Sequence, residues 1–179
     1  MKLNKTIYMN RINTLLGPML SVSSEKYVYF CEFEDTPRRE DKLLELKRLL
    51  DADIVEGENS INKKLREQME LYFSGSLFRF TIPIKLIGTD FQKKVWKELV
   101  DIAYGETISY KELASRVGNK KAYRAVGNAN GANIIPIIVP CHRVINSNGN
   151  IGGFSAGVYR KKWLLEHERK IKRSGHVRR

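Results

Sequence analysis

Cysteine and histidine are scarce in this chain of 179 residues, and their scarcity excludes several classes of protein at once. Two cysteines, Cys31 and Cys141, can make one bridge at most, so no disulfide framework organises the fold. A structural zinc site needs four ligands at short paired spacings. Of His142, His167 and His176, only His142 adjoins a cysteine, so no metal is expected. Long apolar runs are missing too: none approaches the ~20 residues of a membrane-spanning helix. The first thirteen residues scatter Lys2, Lys5 and Arg11 among polar neighbours and lack a continuous apolar core. A secretory signal is therefore not expected, and a cytosolic location is. No internal repeat or low-complexity segment interrupts the chain. What remains is ordinary: 42% hydrophobic and 9% aromatic residues, in a length that suits one large domain or two small ones.

Acidic residues are the other shortage, and it is local. Residues 1–88 hold 14 Lys/Arg against 13 Asp/Glu, whereas residues 89–179 hold 18 against 7, so nearly all of the net +12 lies in the second half. Removing the six basic residues of Arg169–Arg179 still leaves residues 89–168 at +5. A solubilising tail does not account for that remainder, and a polyanionic partner does.

The first half alternates element types. Tyr27–Phe33 is rich in strand formers and follows the turn signal Gly17-Pro18, and Phe78–Ile82 reads as another strand. Leu43, Leu44, Leu46, Leu49 and Leu50 recur at helical spacing, as do Leu65, Met69 and Tyr72. From Thr89 the signals turn helical. Thr89 or Asp90 caps a helix carrying Phe91, Val95, Trp96, Leu99 and Val100 and ending near Gly105. Ser109, with Glu112 three residues on, opens a second helix that Gly118-Asn119 breaks. A third runs roughly from Lys121 to Asn130. The expected organisation is an α/β N-terminal domain (1–88), a mainly α C-terminal domain (89–170) with a helix-turn-helix, and a disordered basic tail (171–179). Short helix, glycine turn and basic short helix fit a helix-turn-helix, but equally a helical pair that binds nothing.

The stretch with chemistry in it runs from Ile134 to Ile145. An apolar, β-branched run leads to Pro140, which has no N–H to donate and ends any regular strand there. Cys141, His142 and Arg143 follow. A cysteine at such a break, next to a proton acceptor and a cation, is placed to react as thiolate. Cys31, inside a strand-forming run, reads as a small core residue instead.

Pro140-Cys141-His142-Arg143-Val144 resembles the active-site motif of the O6-alkylguanine-DNA alkyltransferases, also called methylated-DNA–protein-cysteine methyltransferases. Ile108-Ser109-Tyr110 through Leu113-Ala114, Arg124-Ala125-Val126-Gly127, Asn133, Gly149–Ser155 and Trp163–Glu168 are similar to that family's other blocks, in the same order. The resemblance is dense over residues 89–168. It implies direct repair of double-stranded DNA: one irreversible transfer of a methyl or alkyl group from guanine O6 to Cys141, with no cofactor. O4 of thymine is left open as a second position attacked. His142 is implied as the base acting through a water, Glu168 as its orienter, and Tyr110 as the donor to the leaving base. Asn133 is implied as a hinge. Arg124 would fill the space left by an everted nucleotide, with Ala122, Ala125, Gly127 and Tyr110 also on the DNA side. Val144, Gly152, Phe154, Ser155 and Ala156 would form the substrate pocket, together with Gly153. Phe154 stands where many relatives carry Tyr, so base stacking survives and a hydroxyl is lost. Asn130 and Ala156 also differ from relatives. A monomer is expected. The same sequence admits two other classes: a helix-turn-helix transcription factor with a structural cysteine, and a thiol hydrolase, which the basic face does not suit. A non-transferring alkyltransferase-like protein would lack Cys141.

Overall fold

The computed structural model describes residues 5–175. It divides into two compact units, one up to Ile87 and one from Gly88.

The first unit is a four-stranded sheet with two helices. In chain order it contains β1 (Lys5–Ile12), β2 (Met19–Ser23), β3 (Val28–Phe33), α1 (Arg39–Leu50), β4 (Ala52–Glu56) and α2 (Ser60–Phe73). The sheet order is β3-β2-β1-β4. β1 and β2 are antiparallel with Tyr8 opposite Ser23, and β1 and β4 are parallel with Ile7 opposite Ile54. Every residue of β3 is buried, which is why that segment reads as a continuous rather than alternating apolar run. Asn59 caps α2 by accepting from the Asn62 N–H, and the Asn62 carboxamide accepts in turn from Ser21 Oγ at 2.9 Å. The buried Ser21, Asn59 and Asn62 side chains are thus paired, as burial requires. Cys31 is fully buried, and burial together with the neighbouring Glu32 pushes its thiol up, so it is a core residue as its surroundings predict.

Phe78–Ile82 forms no strand. Gln68 Oε1 accepts from the Thr81 and Ile82 N–H groups, so a helix side chain takes the place of a ladder partner. Pro83, immediately after, has no N–H to offer one. An isolated bridge, Val28 to Ile84, joins the sheet just beyond this segment.

The second unit contains α3 (Asp90–Val100), β5 (Ile108–Ser109), α4 (Tyr110–Arg116), α5 (Tyr123–Gly131), a single 3-10 turn (Cys141–Arg143), β6 (Val144–Ile145) and α6 (Val158–Arg173). Thr89 and Gln92 close a full capping box on α3. The helix stops at Val100, short of Gly105, and Phe91 and Val100 lie on its exposed side while Val95, Trp96 and Leu99 are buried. Ser109 caps α4 through the Glu112 N–H, but the Glu112 carboxylate turns to Arg116, so only half the box forms. Trp96 Nε1 donates to the Ala129 carbonyl at 2.8 Å and pins α3 to α5. β5 and β6 pair in parallel, Ile108 opposite Val144, which brings the start of α4 beside the Cys141 turn.

The apolar run before Cys141 is buried but is not a strand. Asn133 replaces the ladder: its Oδ1 accepts from the Ile135 N–H and its Nδ2 donates to the Val139 carbonyl. Ile137 sits at φ 75°, a conformation that β-branched residues rarely adopt. α6 continues to Arg173, three residues into the expected disordered tail. Lys170, Lys172 and Arg173 lie in its last turn, where cations favour the helix dipole. The rest of that expected tail, 176–179, lies outside the described residues.

Candidate functional site

Cys141 opens the 3-10 turn, 2% exposed, with its Sγ accepting from Asn133 Nδ2 at 3.1 Å. This is the side chain that the resemblance implies as a hinge. One amide group bonds the loop backbone on both sides and also touches the sulfur.

Beside it, Glu168 of α6 organises a buried ion cluster. Its carboxylate accepts four hydrogen bonds: His142 Nε2 at 2.8 Å, Arg143 Nε and Nη2 both at 2.9 Å, and the Gly105 N–H at 3.0 Å. Arg143 Nη1 also donates to the Ile102 carbonyl at 2.6 Å. Gly105 is required at its position, because its φ is +72° and a Cβ would meet the Glu168 backbone oxygen at 3.2 Å. Burial alone would raise the Glu168 carboxyl, but His142 and Arg143 overcome it and hold the group well below the usual carboxylate range. For His142 burial is the largest influence and pushes the imidazole below its ordinary value, with Glu168 opposing. The two directions agree on one state: Arg143 neutralises the carboxylate, and the histidine is neutral. A carboxylate only accepts, so the ring hydrogen is on Nε2 and Nδ1 is the basic nitrogen. Nδ1 is buried and has no hydrogen-bond partner among the described residues.

Arg143 is the correction to the sequence reading here. It looked like a cation for the thiol, and the fold commits its guanidinium to Glu168. Lys161, which sequence reasoning passed over, is fully buried in α6. Its Nζ donates to the Val144 carbonyl at 2.7 Å and the Gly153 carbonyl at 3.1 Å, and lies 5.9 Å from the centre of the Tyr110 ring. Burial pushes it down to about 8, with Cys141 opposing. A lysine in a basic helix gives no sign in sequence that it points inward.

A cleft of about 240 Å³ is lined by Tyr110, Gly127, Asn130, Gly131, Gly153, Phe154 and Ser155; the Gly153 carbonyl accepts from Lys161, and Asn130 donates to the Cys141 carbonyl. That volume is below the roughly 300–1,000 Å³ of drug-sized sites and suits one flat base. Of the expected pocket residues, Gly153, Phe154 and Ser155 line it. Gly152 does not; Ala156 is buried with its carbonyl accepting from Arg160; Val144 is buried with its carbonyl on Lys161. Tyr110 and Gly127, expected on the DNA side, also line the cleft, and Asn130 and Gly131 are lining residues to which the sequence reading gave no role. Burial raises the Tyr110 phenol, with Cys141 acting the same way and Asn130 opposing.

On α5, Arg124 and Ala125 are exposed beside Lys120 and Lys121, and Ala122 and Gly127 are half-buried. Arg124 lies over the Tyr123 ring, 5.9 Å from its centre. Among the described residues no cluster of His, Cys, Asp and Glu could hold a metal ion, and no helix is long and apolar enough to cross a membrane.

A family model described as 6-O-methylguanine DNA methyltransferase, DNA binding domain, matches residues 90–170. A methylated-DNA–protein-cysteine methyltransferase of Methanosarcina barkeri is 41% identical over 162 residues, covering 90% of this chain and 97% of its own. One from Shigella flexneri is 40% identical, covering 88% and 93%. Among solved structures, Mycobacterium tuberculosis OGT in complex with DNA is similar at TM-score 0.80 and 34% identity, covering 92% of this chain and 94% of that one.

Proposed function

The chain belongs to the methylated-DNA–protein-cysteine methyltransferase family, and from that premise we propose that Cys141 accepts an alkyl group from O6 of guanine in duplex DNA. The observation that carries the reading is the His142–Glu168 pair. Glu168 fixes the ring with Nδ1 as the acceptor, on the residue next to the sulfur. This is the nucleophile, base and orienter arrangement of activated cysteines.

The steps balance without a cofactor. The thiol proton passes through one water to His142 Nδ1. Sγ attacks the saturated carbon, a C–S bond forms, and the C–O6 bond breaks with its electron pair going to the guanine. Tyr110, at the cleft wall, gives the departing base a hydrogen bond or proton, as general acids do. The thioether has no leaving partner to regenerate the thiol, so each molecule acts once. O6 of a stacked guanine cannot reach a buried sulfur, so the nucleotide is everted into the cleft, where Phe154 offers a stacking face.

α4 and α5, with the turn at 117–122, serve as a helix-turn-helix. The small residues Ala122, Ala125 and Gly127 permit close approach to a groove while Lys120 and Lys121 meet phosphate. Arg124, exposed at the first turn of α5, fills the vacated stack. Arg124→Ala is accordingly expected to lose most activity on duplex while keeping its slow reaction with free O6-methylguanine base. An equal loss on the free base would remove Arg124 from the eversion step. The reading as a whole is tested with a duplex bearing one O6-methylguanine. Mass spectrometry of the digested protein should find one methyl on the Cys141 peptide, and repaired DNA beside an unmodified peptide would reject it.

A further inference from the structure

We propose that Lys161 is a positioning residue for the everted base: its buried ammonium ties Gly153, in the cleft wall, to β6 just past the nucleophile turn, and so fixes the wall on which the base is seated. The proposal rests on the roles given above to Cys141 and the cleft.

Lys161 is fully buried, and among the described residues no carboxylate pairs with it. Its partners are two carbonyls, Val144 at 2.7 Å and Gly153 at 3.1 Å. Val144 opens β6 directly after the Cys141–Arg143 turn, and Gly153 lines the cleft. The same ammonium lies 5.9 Å from the ring centre of Tyr110, another lining residue. One cation thus stands where three parts of the site meet. An ammonium is a costly filling for a core, because burial strips it of water. An apolar side chain would fill the same space without that cost, so what this position supplies is the pair of bonds.

The wall needs such a tie. Residues 151–155 form neither helix nor strand. Gly152 and Gly153 have no side chain to anchor them, and apart from its chain neighbours nothing lies within 4 Å of where a Gly153 Cβ would stand. Among the described residues, two hydrogen bonds reach residues 151–155. The Phe154 carbonyl accepts from the Gly157 N–H at the start of α6, and the Gly153 carbonyl accepts from Lys161. The second alone leads, through the same nitrogen, to the strand that follows Cys141. Without it, Phe154 and Ser155 lose their fixed relation to the sulfur, although no reacting atom has been touched. Lys161 therefore acts through the wall.

Lys161→Met removes every N–H while keeping most of the side chain's length, and Lys161→Leu does so in a shorter, branched shape. Single-turnover transfer from an O6-methylguanine duplex should fall about tenfold in either. Methylation of Cys141 by methyl iodide needs no seated base and should slow by less than about threefold. Phe154→Ala removes the wall's stacking face, and in that background the Lys161 changes should cost less than about twofold. Amide hydrogen exchange at residues 151–155 should quicken about tenfold while α5 keeps its rate. Equal slowing toward duplex and methyl iodide, equal cost in both backgrounds, or unchanged exchange in the loop overturns the proposal. Failure of both variants to fold overturns it equally, since Lys161 would then be a stability residue. A failure of the underlying reading looks different: the unaltered protein would then leave its own Cys141 unmethylated by the duplex.

Discussion

Cys141→Ala is expected to leave O6-methylguanine fully unrepaired while the protein still binds duplex DNA. The substitution removes the only atom that can form the C–S bond, so no residual transfer by another route is available. Arg124 of α5 and Lys120 and Lys121 of the turn before it, which would contact DNA, are elsewhere in the unit and are untouched. Gel-shift affinity at fixed salt should change by less than threefold, and it should weaken steeply as salt rises, as phosphate-dominated binding does. Repair by Cys141→Ala at any measurable rate would dispose of the mechanism. Cys31 is no substitute, because it is fully buried in the other unit and its thiol is pushed up by that burial.

Glu168→Ala should be the most destabilising single change in the site. The carboxylate is 1% exposed and accepts from His142, Arg143 and the Gly105 N–H, so its loss strands a buried guanidinium. Removing one partner of a buried pair costs about 3–5 kcal/mol. Urea unfolding of the variant should show a loss of that size, and transfer should fall with it because the imidazole is no longer held. A loss under 1 kcal/mol would mean that Arg143 finds solvent on its own. Replacing the pair together, with Glu168→Leu and Arg143→Met, should cost less than Glu168→Ala alone.

The same cluster makes the fold acid-sensitive, and the signs agree. His142 is held below its ordinary value, so the unfolded chain binds more protons as pH falls through about 6.5, and stability declines from there. Glu168, held low in the folded state, adds a second loss below about pH 4.5, the ordinary value for a glutamate. The thermal midpoint should therefore drop between pH 7 and 5. His142→Gln should flatten that segment, and an unchanged slope in the variant would place the acid-labile group elsewhere.

Much of the site was readable because its signals are local. Pro140 punctuates the chain just before Cys141, His142 is adjacent in sequence, and Ser109 marks the start of the helix that carries Tyr110. Capping works the same way: Thr89 and Ser109 each cap a helix through a backbone N–H three residues on. Leu65, Met69 and Tyr72 were assigned correctly to a buried helix face since that periodicity is set within a few turns.

The two misread strands share one cause. Phe78–Ile82 and Ile134–Val139 have strand composition, and neither is a strand, because a strand is a relation to a partner. Gln68 and Asn133 supply hydrogen bonds from side chains where a neighbouring strand would have stood. Composition reports that such a segment is buried and cannot report what completes it.

The amino-acid sequence alone therefore marked out Cys141, its neighbouring histidine, the helix starts and the uneven charge, all of which depend on residues close together in the chain or on composition. Only the folded structure decided that Arg143 serves Glu168, that Lys161 turns inward to two carbonyls, and that Asn130 stands between Cys141 and the cleft. Those choices depend on which buried donor finds which acceptor. Pairing of that kind is settled by the full set of neighbours in three dimensions, where every buried polar group competes for partners at once.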